Sequence, residues 1–282
     1  MDAEPRWVRG EVVAAAGTGI NLGLGVLYAW SVLKGGIPDS WGWSNADKAL
    51  PYSVACFVFS LAMVLAGRLQ DRYGPSMVAM VGGGMIGVGC ILAGMTAPSL
   101  AGFVIGFGVI GGLGIGFGYA ATTPAAIKWF PSSRTGLVTG IVVAGFGLAP
   151  VYIAPLATWM LTYFQVAGPG GAVEKGVAST IITFGMAFLL IVSLLAQLLR
   201  NPPEGFVPAG PAKASAPKAV DRGFREVLRT GQFYVLWAMY FAGAASGLTF
   251  ISVAQDLGKR SLGELAFIAV AVALVGLHRR GH

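Results

Sequence analysis

The chain has 282 residues, of which 55% are hydrophobic and 11% are charged. Ordinary soluble domains carry about 25% charged residues, so this composition excludes that class. The formal net charge of +7 would suit a nucleic-acid partner, but the lysines and arginines lie between long apolar stretches rather than in one patch. The charge distribution therefore indicates membrane topology and argues against nucleic-acid binding.

The apolar stretches, taken in chain order, predict transmembrane helices. Seven are long and a shorter eighth follows them, and a helix needs about 20 apolar residues to cross a bilayer core roughly 30 Å thick. They lack the alternation of apolar and polar residues that marks barrel strands. We therefore predict an all-α, polytopic transmembrane bundle with spans at Val12–Leu33, Pro51–Ala66, Ser76–Thr96, Leu100–Ile127, Gly136–Tyr163, Val177–Leu199, Gln232–Gln255 and Leu262–Leu277.

The positions of the basic residues predict the orientation of these spans. Residues 1–10 lack a small-residue cleavage site, so we expect a cytoplasmic lead rather than a removable signal peptide. With the N-terminus in the cytoplasm, the bias is the positive-inside pattern, and it predicts a multi-pass protein of the plasma (inner) membrane. All lysines and arginines then fall on the inner side except Lys34, Lys48, Lys175, Lys259 and Arg260.

Three parts are predicted along the chain. Residues 1–199 form a six-helix bundle whose spans are joined by short loops. Residues 200–230, rich in proline, alanine and lysine, form a flexible cytoplasmic linker; the alternative for Arg222–Arg229 is a short basic amphipathic helix on the inner leaflet. Residues 231–282 begin a second bundle. This order is typical of six-plus-six transporters, whose binding site lies between the two halves.

The glycines of the fourth span recur at a spacing typical of one helix face. Small residues four apart let transmembrane helices approach closely. The Gly-x-Gly repeats do not indicate a dinucleotide site, because no soluble βαβ unit surrounds them. We expect close helix packing at Gly102, Gly106, Gly108, Gly112, Gly114, Gly116 and Gly118.

The most specific motif, GRLQDRYGP, lies at residues 67–75 between spans two and three. Gly67 and Gly74 permit a tight turn, Asp71 can cap a helix or pair with an arginine, and Arg68 and Arg72 hold the loop inside. The spacing resembles the signature loop of the major facilitator superfamily, glycine-x-x-x-aspartate-arginine-x-glycine followed by a basic residue, although proline and serine stand at that last place. The resemblance implies a conformational loop motif of Gly67, Asp71, Arg72 and Gly74.

Further segments resemble the oxalate–formate antiporter family of that superfamily, and related monocarboxylate transporters share part of the pattern. The matching segments are GVLYAWSV at residues 25–32, Gly118-Tyr119 followed by Pro124, and KWFP at residues 128–131 followed by Arg134. The resemblance implies carboxylate exchange through a central cavity lined with aromatic residues.

Four substrate-binding candidates follow from this resemblance. Tyr28 and Tyr119 match the pattern, and each could donate its hydroxyl to a carboxylate oxygen; Tyr152 is a weaker candidate. Packing or a place in the interfacial aromatic belt is the alternative for the tyrosines. The eighth span ends in a stretch that resembles the family's segment around its substrate arginine, with matches at Gly276 and Arg279. Arg279 is therefore the fourth candidate, and the alternative is a plain basic tail.

Other polar residues within the first six spans are few. Asn21, Thr18, Thr122 and Thr123 are expected to bond to the backbone or to a neighbouring helix. No charge lies in the interior of these spans, so this half offers no carboxylate relay for protons. A dicarboxylate would need cationic partners from elsewhere.

The sequence thus predicts a secondary active transporter of small organic anions, oxalate/formate or monocarboxylate-like, that works by alternating access. Its expected partners are the lipid bilayer and a small organic anion, without a cofactor or a metal. The resembled family has twelve spans, so a missing C-terminal transporter half is a further expected partner. The alternatives are a transport-inactive fragment of such a transporter and a seven-helix receptor. An enzyme is not expected, because no Ser–His pair or acidic dyad lies in the spans.

Overall fold

The computed structural model describes residues 6–168, 171–203, 205–208 and 224–246. The chain divides between Ala214 and Ser215 into two compact units. The second unit contains α9 (Phe224–Val227) and a helix over residues 231–246. The first unit contains α1 (Arg6–Leu24), a 3₁₀ segment (Gly25–Ala29), α2 (Trp30–Lys34), a 3₁₀ turn (Asp39–Trp41), α3 (Asn45–Tyr73), α4 (Pro75–Met95), α5 (Leu100–Phe103), a π-helical segment (Val104–Gly111), α6 (Gly112–Ile127), α7 (Thr135–Tyr163), β1 (Val166–Ala167), β2 (Val173–Glu174) and α8 (Val177–Ala196).

Six stretches of the described residues are helices long and apolar enough to cross a membrane, which confirms the predicted all-α, multi-pass fold. Span four has the predicted bounds, and the others differ mainly at their ends. The seventh predicted span begins in the helix over residues 231–246, whereas its remainder and the eighth lie outside the described residues. Spans one to six are Gly10–Lys34, Asn45–Tyr73, Pro75–Met95, Leu100–Ile127, Thr135–Tyr163 and Val177–Ala196.

Span two is longer than its apolar stretch predicted, and a capping box explains its start. The Ser44 hydroxyl accepts a hydrogen bond from the Asp47 N–H at 3.2 Å, and the Asp47 carboxylate accepts one from the Ser44 N–H at 2.9 Å. These bonds satisfy backbone donors at the helix N-terminus. Apolar counting locates only the part of a helix that suits hydrocarbon, so it missed the polar first turn.

A short hairpin joins spans five and six, and the sequence did not predict it. Strand β1 pairs antiparallel with β2, with Val166 opposite Glu174 and Ala167 opposite Val173. Two residues per strand are too few to show the period-two pattern from which strands are recognised. The hairpin lies at the end of the bundle where spans five and six meet their loop.

Span three packs between spans four and six through glycines that bring backbones together. A methyl group on Gly82 would lie 2.7 Å from the Gly114 carbonyl oxygen of span four, and one on Gly87 would lie 2.9 Å from the Gly185 carbonyl oxygen of span six. Real side chains do not fit at such distances. The close approach expected of small residues in a membrane is therefore confirmed.

In span four, some glycines pack against span two and others pack against span three. Gly112 and Gly116 lie against the Ala55 and Phe59 carbonyl oxygens of span two, whereas Gly106 and Gly114 face span three. Residues 104–111 adopt a π-helix, which the sequence did not reveal. The extra residue per turn in this segment changes which side chains face each neighbour.

The first residues of the predicted linker dock on the bundle. The Trp129 indole N–H donates to the Arg200 carbonyl oxygen at 2.8 Å, and the Trp129 ring contacts Phe206 at 5.3 Å between centroids. Lys128 Nζ also donates to the Asn201 side-chain oxygen at 3.3 Å. These contacts attach Arg200, Asn201 and Phe206 to the loop between spans four and five.

Candidate functional site

Four rings from four different spans form one aromatic cluster, which consists of Tyr28, Phe59, Tyr119 and Phe146. The Phe146 ring lies at its centre. Tyr28 meets it edge to face at a centroid distance of 5.3 Å, and Tyr119 meets it edge to face at 5.1 Å. Phe59 stacks on Phe146 at 6.2 Å and meets Tyr119 at 5.7 Å. The structure thus brings together tyrosines of spans one and four, which have two other spans between them in the sequence.

The aromatic cluster lies where spans one, two, four and five meet. Phe146 is buried, with 8% of its surface exposed. Tyr28, Phe59 and Tyr119 are half-buried. Edge-to-face contacts of this kind fix ring orientation and contribute about 0.5–1.5 kcal/mol each beyond the area they bury. The cluster is therefore a rigid patch that reaches the surface of the first unit.

A close approach of spans one and five positions Tyr28. Tyr28 lies in the 3₁₀ segment that interrupts span one, and this segment begins at Gly25. A methyl group on Gly25 would overlap Ala149 and lie 2.6 Å from the Phe146 carbonyl oxygen. Pro150 lacks the N–H that would otherwise bond to this oxygen, so span one can pack directly over it.

A buried polar group next to the aromatic cluster ties spans one, four and five together. Asn21 is fully buried, and its amide N–H donates to the Val142 carbonyl oxygen of span five at 2.8 Å. The Thr122 hydroxyl of span four lies 3.3 Å from the Asn21 side-chain oxygen and 2.9 Å from the Tyr119 carbonyl oxygen. The expectation that Asn21 and Thr122 bond to backbone or neighbouring helices is confirmed.

Tyr152 has a different position from the other two tyrosines. Its hydroxyl donates to the Leu22 carbonyl oxygen of span one at 2.9 Å, and 40% of its surface is exposed. Leu22 lies just before the change from α-helix to 3₁₀ helix, where the regular pattern of backbone acceptors is interrupted. Tyr152 therefore ties span five to span one, and none of its ring contacts joins it to the aromatic cluster within the described residues.

The interfacial-belt alternative fits other aromatic residues better than Tyr28. Trp30 is buried, stacks on Phe107 at 4.7 Å and donates its indole N–H to the Lys48 carbonyl oxygen at 3.1 Å. By contrast, Trp159 and Tyr163 stack on each other at the end of span five with 60% and 68% of their surfaces exposed. A belt residue is expected to be exposed near the end of its span, which is the position of these two residues.

The predicted loop motif proves to be a one-residue turn. Span two continues to Tyr73, Gly74 adopts a φ of 85°, and Pro75 begins span three. Gly74 is the residue whose left-handed backbone needs glycine. Gly67 does not form part of the turn; it lies inside α3 with nothing within 4 Å of where its side chain would be.

Asp71 and Arg72 lie in the last turn of α3 and are exposed. Asp71 caps no helix, because the residue at the N-terminal boundary of span three is Gly74, which makes no side-chain cap. The Arg72 guanidinium lies over the Tyr73 ring at 5.3 Å. The motif thus presents charged groups to the solvent-facing end of span two. Arg279, the remaining candidate, lies outside the described residues.

Sequence reasoning missed Phe59 and Phe146, and it did not identify Val142 as the partner of Asn21. The only signal for Phe146 was Pro150 four residues later, which leaves one carbonyl without its helical partner. Nothing in the pattern around Phe59 distinguishes it from the other apolar residues of span two. Partners that are distant in sequence require the packed bundle to be known.

The family model for the major facilitator superfamily matches residues 6–278. The chain belongs to this superfamily of membrane transporters. Membership favours the transporter class over the seven-helix receptor that the number of spans also allowed.

Individual relatives are more distant. The chain is 26% identical over 251 residues to an uncharacterized MFS-type transporter, YhjX, of Escherichia coli, a match that covers 89% of the chain and 58% of the relative. It is 27% identical over 260 residues to the oxalate:formate antiporter of Oxalobacter formigenes, a match that covers 91% of the chain and 57% of the relative. A shorter match, 34% identical over 108 residues and covering 38% and 20%, is with apicoplast pyruvate carrier 1 of Toxoplasma gondii. The chain spans a little over half the length of the first two relatives.

Proposed function

We propose that the protein takes part in transport of small organic anions by alternating access, and that the aromatic cluster forms part of the substrate path. The observation that carries this proposal is the convergence of Tyr28 and Tyr119 on Phe146. The oxalate:formate antiporter and the apicoplast pyruvate carrier, by their names, both act on small carboxylates. These similarities support a carboxylate as the substrate class.

The chemistry of the aromatic cluster suits a small carboxylate. A phenol O–H donates a hydrogen bond to a carboxylate oxygen, and aromatic rings present a positive edge to an anion. Hydrogen bonds to a charged group contribute about 1.5–3 kcal/mol. The four residues of the cluster carry no formal charge, so they select hydrogen-bonding geometry while the counter-charge comes from another part of the transporter. Arg279 remains a candidate for that role.

Uptake into proteoliposomes tests this proposal. Vesicles that contain the 282-residue chain and internal formate are given labelled oxalate outside, and uptake by Tyr119→Phe and Tyr28→Phe is compared with that of the wild type. Loss of one charge-assisted hydrogen bond is expected to lower the uptake rate about tenfold. Tyr163→Phe is the matched control, because Tyr163 is exposed at the end of span five, and its uptake is expected to be unchanged.

Two outcomes would count against parts of the proposal. Unchanged uptake by Tyr119→Phe would remove Tyr119 from the substrate path. Wild-type vesicles without uptake, in a preparation that is correctly folded, would support the alternative that the 282-residue chain is inactive by itself. Exchange is distinguished from proton coupling by omitting internal formate, which is expected to abolish uptake in an exchanger.

We also propose an inner-membrane location with a cytoplasmic N-terminus, on the basis of the basic-residue bias. Single cysteines are introduced at Ser40 or Ser133, which are exposed at opposite ends of the bundle, after Cys56 and Cys90 are replaced by alanine. In intact cells a membrane-impermeant maleimide is expected to label the cysteine at position 40 at once, and the one at 133 only after permeabilisation. The reverse pattern would invert the proposed topology.

A further inference from the structure

A polar cavity of about 620 Å³ opens at one end of the six-span bundle. It lies between the loop that joins spans one and two and the hairpin that joins spans five and six. Its charged lining residues are Lys34, Asp39, Lys48, Glu174 and Lys175. Asn45, at the start of span two, also lines it, whereas the Gly74 turn follows the end of the same span. The cavity and the loop motif therefore lie at opposite ends of the bundle.

One of the three lysines is already neutralised. Lys48 Nζ donates to an Asp39 carboxylate oxygen at 3.3 Å and to the Ile37 carbonyl oxygen at 3.3 Å. Within the described residues, Lys34 and Lys175 form no ion pair. The ammonium groups of Lys34 and Lys175 are thus left to meet an anion, together with the polar side chains of Ser31 and Asn45. The two ammonium groups outnumber the Glu174 carboxylate, which repels an anion.

The topology bias does not account for this collection of lysines. Basic residues on the inner side are explained by the positive-inside pattern, which disfavours them on the other side. In the described residues, Lys34, Lys48 and Lys175 are the basic residues at the end opposite the Gly74 turn, and all three line the cavity. Their concentration at one concave site suggests a specific attraction for anions.

We propose that this cavity is a binding site for a small carboxylate, held by Lys34 and Lys175, which collects the anion at the membrane surface before it enters the substrate path. The role in transport rests on the proposed function, but binding itself does not. Lysine ammonium groups raise the local concentration of carboxylates in a cleft. Ser31 lies three residues after Tyr28 on the same span, so the cavity adjoins the segment that carries one tyrosine of the aromatic cluster.

Binding of oxalate to the 282-residue chain in lipid nanodiscs, followed by isothermal titration calorimetry, tests the proposal. The double variant Lys34→Gln, Lys175→Gln is expected to raise the Kd at least about tenfold, and 0.5 M salt is expected to weaken wild-type binding, because salt screens exposed charges. The variant Lys34→Arg, Lys175→Arg keeps both charges and is expected to retain binding. Lys128→Gln removes a single positive charge at the opposite end of the bundle and is the control for a general effect of charge.

Protection from an amine-reactive ester locates the site independently of affinity. Mass spectrometry measures the acylation rate of each lysine with and without oxalate. Oxalate is expected to slow acylation of Lys34 and Lys175 at least about threefold, which corresponds to a mostly occupied site, and to leave Lys128 unchanged. Equal protection of Lys34, Lys175 and Lys128, or protection of none of them, would overturn the proposal.

The same measurements separate failure of the cavity from failure of the proposed function. Acylation protection of Lys34 and Lys175 reports on the cavity alone, whereas uptake by Tyr119→Phe reports on the aromatic cluster. If the double glutamine variant binds oxalate as tightly as the wild type, the cavity is not the site, even where the tyrosine variants impair uptake. If oxalate protects Lys34 and Lys175 in the wild type and the double variant loses binding, while Tyr119→Phe transports normally, the cavity stands and the proposed role of the aromatic cluster fails.

Discussion

Spans three and five contain similar glycines with opposite surroundings. On span three, Gly82 and Gly87 are pressed against the backbones of spans four and six. On span five, Gly136, Gly140 and Gly147 have nothing within 4 Å of where a side chain would be. Glycine removes side-chain bulk at all five positions, but only at Gly82 and Gly87 does a neighbouring helix use the space. A small residue thus permits close packing and does not by itself produce it.

Span five by itself contains both packed and open glycines. Gly145 lies on the same helix as the open glycines, yet a side chain there would overlap the Thr18 backbone of span one. Span five is therefore packed on one face, next to the aromatic cluster, and open on another. Substitutions that compare the packed glycines with the open ones measure how much of the fold depends on the packed face.

The largest effect is expected from Gly114→Val. The side chain would meet the Ile86 nitrogen and lie 2.6 Å from the Gly82 carbonyl oxygen, and backbone atoms of two helices cannot move aside as a flexible side chain can. Overpacking costs about 1–3 kcal/mol, and more where nothing yields. We expect the Tm in detergent to fall by roughly 5 °C or more. Gly84→Val is the matched control, since nothing lies within 4 Å of Gly84; an equal fall in both would refute the contrast.

Gly25→Ala tests the packing that positions the aromatic cluster. The added methyl group would separate spans one and five beneath Tyr28, so we expect both a lower Tm and an uptake rate reduced at least about tenfold, because misplacing a binding group by about 1 Å can cost that much or more. Gly147→Ala, on the open face of span five, is expected to leave both unchanged. Normal uptake by Gly25→Ala would mean that contact of Tyr28 with Phe146 is not required.

A smaller effect is expected from Asn21→Ala. The change removes the hydrogen bond to the Val142 carbonyl oxygen and leaves Thr122 without its Asn21 contact. Hydrogen bonds between membrane helices contribute about 0.6 kcal/mol on average and up to about 1.7, so the fall in Tm should be a few degrees at most. Thr158→Ala, which removes a hydroxyl bonded within its own helix, is expected to have no measurable effect on the Tm.

The smallest effect is expected from Gly140→Ala, and its sign is informative. With open space around Gly140, alanine should stabilise the helix by about 0.5–1 kcal/mol, because glycine loses more backbone entropy on folding. A slightly raised Tm would confirm that this face of span five is open in the 282-residue chain. A lowered Tm would instead show that another surface packs against it in the membrane.

Much of the candidate site could be named from the sequence, but its arrangement could not. Tyr28 and Tyr119 were candidates because their local segments resemble a transporter family. Their common contact, Phe146, has no local signature apart from Pro150. Tyr152 had the same chemical rationale as the other two, and its bond to Leu22 shows that an intramembrane hydroxyl can be used for helix packing instead. The cavity lined by Lys34 and Lys175 joins loops more than 100 residues apart, and no local pattern connects them.

What the sequence determined by itself was the first six spans, because the length of an apolar run and the cost of burying charge in lipid are properties of local composition. It also predicted a tight turn between spans two and three, although the structure assigns that turn to Gly74 alone and not to Gly67. The tertiary structure decided which glycines are packed against a neighbouring helix, which aromatic rings are in contact and which lysines line one cavity. Those outcomes depend on the rotation of each helix about its axis and on the π-helical and 3₁₀ interruptions of spans four and one. These interruptions change which residues face a neighbouring helix, and the hydropathy of the sequence does not reveal them.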